Sequence, residues 1–400
     1  MNRSEQFVFD LCAKSFLSLW SYPTPRGKNA GKELCDILVV CDPDIIIFSV
    51  KEIELKEGSD ISVDWNRWQR KAIDESCEQI YGAERWINSA QNVITQKGEA
   101  SLPFPDVSRR RIHRVAVALG GNRKVPFHSG DFGKGLVHVF DEESLKIIMS
   151  ELDTITDFIK YFDDKERFYC GGKGKIIVAE GEENLLALYL LNNRTFPTDA
   201  DCIMLDDSYW KSFASGKHFL AKKEADKASY AWDRLIETLC NDFRNQDLLS
   251  EFPFSATLTD VELVVRTMAR ENRFSRRLLG AKFAEFLESK SIRSRTFGSL
   301  SGVHYVFLFS RPGFAGKYRL AELGGRCFVV RGLNPACKLV IGISTELPDP
   351  EKKFLFEIMY MHKPDWTVED QRELEFVQKE FGWFSNATQS RMKADEYPSA

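Results

Sequence analysis

The stretch GKELCDILVVCDPDIIIFSVKEIE, Gly31 to Glu54, decides the fold. Two apolar runs flank the turn-forming CDPD, and they predict strands over residues 33–40 and 45–55 joined as a hairpin. The run IIIF is apolar at every position, which is typical of a strand covered on both faces. Asp36 and Lys51 nevertheless stand within these strands, and buried charges are costly unless they are paired or bind something. The hairpin therefore predicts either an ion pair between neighbouring strands or a binding site.

The polar side chains of this hairpin are expected to gather at one of its ends. Residues two apart in a strand share a face, so Ser49 and Lys51 project together. Asp36 lies near the start of the preceding strand and can face the same space, with Glu33 just upstream. We therefore expect two carboxylates and one lysine around one end of the two-strand unit.

The segments around the hairpin predict an α/β arrangement. A helix from Ser4, its N-cap, to about Trp20 precedes the hairpin, and a long helix capped by Asp64 follows it. Further strands and a helix over residues 142–162 complete this part of the chain. Helix, two strands, helix and further strands in this order are typical of a sheet covered by helices.

The remainder of the chain predicts a second domain of α+β type. We expect a division into residues 1–165 and 170–400, with substrate or partner recognition as the expected role of the second part. Its predicted strands are HYVFLFS, RCFVVRG, KLVIGIS and KFLFEIMYMH. Its final helix begins with a capping box formed by Thr367 and Asp370.

Composition narrows the class of protein. The 400 residues carry a net charge of −4, which argues against a purely electrostatic nucleic-acid binder but not against an enzyme with a local basic groove. The nine cysteines are scattered singly without metal-ligand spacing, as expected of reduced thiols in a cytosol. The N-terminus lacks a signal-peptide pattern, and no apolar run approaches the roughly twenty residues of a membrane span. We expect a cytoplasmic protein with no membrane partner.

KELCD, the strand ending in SVK and the helix carrying EQIYGAERW together resemble the PD-(D/E)XK nuclease superfamily. The similarity covers roughly residues 4–120, and it is greatest to bacterial defence-associated and NERD- or RecB-type nuclease domains. The core of that family is a helix, a strand with an Asp, a strand with (D/E)-x-K, then a helix and further strands. The resemblance implies a restriction-endonuclease-like mixed sheet flanked by helices.

The resemblance also implies roles for individual residues. Asp36 would be the main ligand of Mg²⁺ or Mn²⁺, Glu33 an auxiliary carboxylate, and the Val50 carbonyl a further ligand. Lys51 would stabilise charge on the attacked phosphate or orient the water nucleophile. In RecB-type members a Gln and a Tyr on the following helix join the site, and Gln79 and Tyr81 occupy the comparable region at a shorter spacing than usual.

Ser49 departs from the family pattern, because it stands where the second acid of (D/E)-x-K is expected. A hydroxyl is a poorer magnesium ligand than a carboxylate. Glu52 and Glu54 follow Lys51 and could substitute for the acid, although Glu52 points to the opposite face of a regular strand, and Glu33 is the better replacement. Either the acid has migrated, or the domain binds nucleic acid without cutting it.

Two groups of basic residues are candidates for contacts with a phosphate backbone. One group is expected at the mouth of the hairpin site and the other on the helix after the hairpin; the alternative for each is a solvated face. The residues are Arg109, Arg110, Arg111 and Arg114 in the first group, and Arg67, Arg70 and Lys71 in the second. Trp65, Trp68 and Trp86 are expected either to stack on bases or to seal a helix onto the sheet.

The resemblance thus implies a Mg²⁺- or Mn²⁺-dependent nuclease that hydrolyses phosphodiester bonds, with DNA favoured over RNA, in a prokaryotic defence context. The alternative is a non-catalytic, degenerate nuclease fold that binds nucleic acid or assembles a complex. A protein partner is expected to bind through the C-terminal domain.

Overall fold

A computed structural model describes residues 1–27, 31–56, 61–123, 129–171, 175–178, 181–198, 202–244, 258–289, 293–310, 316–346, 356–385 and 394–398. The chain is an α/β protein with two mixed open sheets flanked by helices, and about 50% of it is helical. It divides into two compact units, Met1–Phe219 and Leu220–Ala400. The predicted division between residues 165 and 170 lies inside the first unit, and it stays a prediction.

The first unit is built on a six-stranded sheet with the order β1-β2-β3-β4-β6-β5. Strand β2 runs antiparallel to both of its neighbours, β1 and β3, whereas β3, β4 and β6 run parallel to one another. The strands are β1 Ser21–Pro23, β2 Ile37–Cys41, β3 Asp44–Glu52, β4 Arg111–Leu119, β5 Gly130–Asp131 and β6 Leu136–Phe140. A separate parallel pair is formed by β7 Lys175–Val178 and β8 Cys202–Leu205.

The predicted hairpin is confirmed as β2 and β3, with Ile37 opposite Phe48. Every residue of β2 is buried, and so are the first seven residues of β3. Apolar side chains on both faces of these strands account for their central position, because only a strand covered by helices on both sides buries them all.

The helices of the first unit cover both faces of its sheet. They are α1 Arg3–Phe16, α2 Ile61–Gln69, α3 Glu75–Ser89, α4 Glu142–Glu151, α5 Ile155–Cys170, α6 Glu182–Leu191 and α7 Tyr209–Ala214, and α8 Lys217–Asp226 spans the division between the units. The helix predicted over residues 142–162 is in fact two, because Thr154 caps a new helix through a hydrogen bond from the Asp157 amide. The predicted cap of α1 is also wrong, since Asn2 and Glu5 form its capping box.

One continuous helical segment crosses from β3 to β4. It consists of α2, a π-helical turn over Arg70–Asp74, and α3. Asp64 stands in its first turn and not at the predicted cap, because the helix begins at Ile61. The crossover ends in a close approach of two backbones: a Cβ on Gly120 would lie 2.8 Å from the Ile53 carbonyl carbon, and Gly120 has a φ of +85°.

The second unit holds a four-stranded sheet with the order β12-β11-β10-β9. The parallel pair β10 and β11 is flanked by an antiparallel strand on each side. Its strands are β9 Ser294–Gly298, β10 His304–Phe309, β11 Leu339–Thr345 and β12 Phe356–His362. Its helices are α9 Ser229–Arg244, α10 Leu258–Ala269, α11 Arg273–Glu288, α12 Gly316–Leu333 and α13 Val368–Phe381.

The strand predicted for RCFVVRG is wrong, because this segment belongs to α12. Leu323, Cys327 and Val330 are all buried and lie three and four residues apart, which is the spacing of one helical face. The capping box of Thr367 and Asp370 is confirmed at the start of α13. Among the described residues, no helix is long and apolar enough to cross a membrane.

The Gly120 contact predicts a sharp difference between two glycine substitutions. Gly120→Ala should lower the free energy of unfolding by about 2 kcal/mol or more, since the side chain meets the Ile53 backbone and the φ is left-handed. Gly82→Ala is the matched control, because Gly82 lies in α3 with no atom within 4 Å of its added Cβ. It should be neutral or stabilise by up to about 1 kcal/mol in urea denaturation. Equal effects of the two substitutions would contradict this account of the crossover.

Candidate functional site

The polar residues of the hairpin meet at one edge of the first sheet. Lys51 lies near the carboxyl end of β3, opposite Ala118 of the parallel strand β4. Asp36 immediately precedes β2, and the register of the hairpin, continued by one residue, sets it opposite Ser49. The same edge therefore carries the start of β2 and the carboxyl ends of two parallel strands.

Asp36 is a buried carboxylate held by the backbone of β3. It is 5% exposed, and the Val50 amide donates a hydrogen bond of 2.6 Å to its Oδ2. Burial raises the pKa of Asp36, while the Val50 amide and the charge of Lys51 oppose that rise. In a regular strand the Val50 carbonyl points to the same side as its amide, so this carbonyl faces the Asp36 side of β3.

Glu33 forms an acidic pair with Asp36. Burial, the negative charge of Asp36 and a side-chain hydrogen bond to Asp36 raise the pKa of Glu33 to about 6. Below this pH the protonated Glu33 donates to the Asp36 carboxylate. Above it two carboxylates face each other, which concentrates negative charge at the sheet edge.

Lys51 stands beside this pair, with no direct partner among the residues that the structure describes. Its side chain is half-buried, and it makes no hydrogen bond or ion pair with the other residues that the structure describes. It is nevertheless near enough to lower the pKa of Asp36. An ammonium group in this position can bind an anion that approaches the acidic pair.

Ser49 and Gln79 are joined to each other. Ser49 is fully buried, and its hydroxyl donates a 2.7 Å hydrogen bond to Oε1 of Gln79 on α3. The bond places Gln79 beside Ser49 and fixes its amide, and the membership of Gln79 in the site stays a prediction. Tyr81, two residues further on, donates to the carbonyl of Gly135 at 2.7 Å.

Two further acids, Glu52 and Glu5, lie near the site in different situations. Glu52 lies on the opposite face of β3, where it accepts a hydrogen bond from Ser4 of α1, so it does not replace the acid that is missing at Ser49. Glu5, which the sequence reasoning missed, raises the pKa of both Glu33 and Asp36 through its negative charge. In the sequence, Glu5 is recognisable only as part of the capping box of α1, and this role does not indicate that it lies near Glu33 and Asp36.

The oxygen donors beside Lys51 are few. Within the described ranges, no three His, Cys, Asp or Glu side chains are grouped so that they could hold a metal ion. The carboxylates of Asp36 and Glu33 and the Val50 carbonyl are oxygen donors, and Mg²⁺ is commonly held by one or two carboxylates with water in the remaining positions. These residues therefore fit a hydrated Mg²⁺ or Mn²⁺.

The basic run that begins at Arg109 does not lie at the mouth of this site, where it was expected. Arg111 is opposite Asp44 at the start of β3, seven positions from the Lys51 level, or about 23 Å along the strand. Its members serve internal contacts: Arg109 pairs with Asp42, Arg110 donates to the Pro105 carbonyl, Arg111 pairs with Asp44, and Arg114 pairs with Glu84. Nucleic-acid binding by these four residues stays a prediction.

Arg67, Arg70 and Lys71 are in a different situation. All three are exposed on α2 and the π-helical turn, and none has an ion-pair partner in the part of the chain that the structure describes. They remain available for a ligand.

Comparison with known proteins yields no relative: no protein-family model, no curated protein and no solved structure matches this chain.

The raised pKa of Glu33 predicts a pH-dependent effect of Glu33→Gln. The protonated form is favoured in the folded state, so its contribution to stability is complete below the usual glutamate pKa and is lost as the pH rises through about 6. The variant, which mimics the protonated acid, should therefore unfold at a higher temperature than the parent at pH 8, on the order of 1–2 °C, and show little difference at pH 4.5. Glu54→Gln, an exposed glutamate nearby, should show no such dependence in thermal unfolding. Parallel curves for Glu33→Gln and the parent would contradict the shared-proton pair.

Proposed function

We propose that the first unit is a restriction-endonuclease-like domain that hydrolyses phosphodiester bonds with the help of Mg²⁺ or Mn²⁺. The observation that carries the proposal is the pair of Asp36 and Glu33 beside a half-buried Lys51 that has no partner in the described part of the chain. Two acids that repel each other attract a cation, and the lysine adds a site for an anion. Supporting features are the mixed sheet, with its antiparallel hairpin followed by a helical crossover to a parallel strand.

Each residue has a role in this proposal. Asp36, Glu33 and the Val50 carbonyl hold the cation, and Asp36 is kept in place by the Val50 amide. Lys51 binds the attacked phosphate and stabilises the charge that develops on it. Gln79, oriented by Ser49, presents its amide to the water or to the phosphate. A bound divalent cation would lower the pKa of a coordinated water and would neutralise charge on the phosphate.

The substrate and setting follow the family resemblance. DNA is the proposed substrate and prokaryotic defence the proposed setting, in a cytoplasmic protein. The second unit is proposed to recognise the substrate or a protein partner.

The direct test is cleavage of DNA and RNA by the purified full-length chain with Mg²⁺ or Mn²⁺. Asp36→Asn and Lys51→Ala should each lower the cleavage rate at least about a hundredfold, since each removes a group that acts on the reacting phosphate or holds the cation. Lys56→Ala is the matched control, because Lys56 is an exposed lysine five residues beyond Lys51. Absence of cleavage under all metal conditions, or equal rates for all variants, would refute the nuclease.

A non-catalytic nucleic-acid-binding protein is the second candidate, and Ser49 favours it. The Ser49 hydroxyl is hydrogen-bonded to Gln79, and Glu52 lies on the opposite face of β3. Neither residue therefore takes the place of the second acid. Such a protein would bind nucleic acid in EDTA with strong salt dependence and cut nothing.

A further inference from the structure

The helix that crosses from β3 to β4 runs antiparallel to β3, and two hydrogen bonds fix its direction. Ser49 donates to Gln79, whereas the indole of Trp68 donates to the Ile53 carbonyl at 2.6 Å. The carboxyl end of β3 therefore lies beside the earlier part of the helix, and the middle of β3 lies beside its later part. Since Trp68 is already level with Ile53, α2 extends past Lys51 and overhangs the carboxyl end of β3.

Two indoles are stacked on this overhanging helix. The rings of Trp65 and Trp68 lie 5.3 Å apart with an interplanar angle of 16°. Trp68 is buried and packs closely against Gly121, so the inner ring of the stacked pair is held in place. Trp65 is partly exposed, and it packs against the hydrophobic core, with the ring of Trp68 stacked against its own.

The charge of the helix changes sign where it leaves the sheet. Residues 61–71 hold three basic residues, Arg67, Arg70 and Lys71, and one acid, Asp64. The next nine residues hold three acids, Asp74, Glu75 and Glu78, and no basic residue. Over residues 61–80, positive charge is thus confined to the part of the helix nearest the stacked indoles.

We propose that α2 and the π-helical turn after it form the binding surface for single-stranded nucleic acid, with an unpaired base stacked on Trp65 and neighbouring phosphates on Arg67, Arg70 and Lys71. An aromatic platform with a flanking basic patch recognises unpaired strands, because only an unpaired base can offer its whole face. In a duplex the bases are covered by their neighbours, so the platform would discriminate against it. The inference deepens the proposed function and rests on it for the placement of the cleaved phosphate beside Lys51.

Binding measured without divalent cations tests this surface apart from catalysis. The full-length chain is titrated in EDTA against a fluorescein-labelled oligothymidylate and a labelled blunt hairpin duplex, with anisotropy as the readout. Trp65→Ala should weaken binding of the oligothymidylate about tenfold and leave the duplex unchanged within about twofold. Trp65→Phe should retain most of the affinity, because it keeps an aromatic face.

Two controls keep the test decisive. Trp65→Leu retains apolar contact with the core but has no ring face, so it should lose affinity as Trp65→Ala does even if the alanine variant folds poorly. Trp86→Ala removes another partly exposed indole from the far end of α3 and should bind as the parent does. In addition, Arg67→Ala combined with Lys71→Ala should reduce the slope of log affinity against log salt for the single strand by about 1.4.

The results separate the two claims. A Trp65-dependent preference for the single strand, in a protein that never cuts, would support this surface and refute the nuclease. Equal affinity of the parent for the single strand and the duplex, equal weakening of both by Trp65→Leu, or no effect of Trp65→Leu on either, would overturn the single-strand surface whether or not the protein cuts.

Discussion

The hydrogen bond from the Val50 amide to the Asp36 carboxylate is the constraint on which the site depends. It joins the start of β2 to the end of β3 and keeps a buried acid ionisable at the sheet edge, where burial alone would favour its neutral form. Glu33 then meets a carboxylate that cannot turn away, and burial together with the negative charge of Asp36 raises the pKa of Glu33. The acidic pair is therefore a product of the hairpin register and not of a flexible surface.

The surrounding charges are divided between two uses. Arg109, Arg111 and Arg114 are paired with acids at or beyond the amino end of β4 and stabilise the fold there. At the other end of the strands Lys51 has no such partner among the described residues, and the basic residues of α2 are exposed. The proposed function thus lies at the carboxyl ends of the parallel strands, where ligands of open α/β sheets commonly bind.

The local parts of this arrangement could be predicted from the sequence, and the long-range parts could not. Apolar runs around CDPD specify the hairpin, and strand periodicity sets Ser49 and Lys51 on one face. Arg111 lies far from Lys51 because β4 runs parallel to β3, which brings the start of β4 level with the start of β3. A run of charges in the sequence does not indicate whether its strand runs parallel or antiparallel to the neighbouring strand. RCFVVRG was misread because a short apolar run fits a strand as well as a buried helical face. Glu5 reaches the site only through the packing of α1.

The most direct measurement of the central claim is a calorimetric Mn²⁺ titration in buffers of different ionisation enthalpy, which counts the protons released on binding. If Asp36 and Glu33 share a proton and bind the cation together, binding at pH 6 should release about half a proton per ion, close to none at pH 8, and Asp36→Asn should abolish binding. No Mn²⁺ binding at pH 8, or binding without proton release at pH 6 that survives Asp36→Asn, would contradict the account.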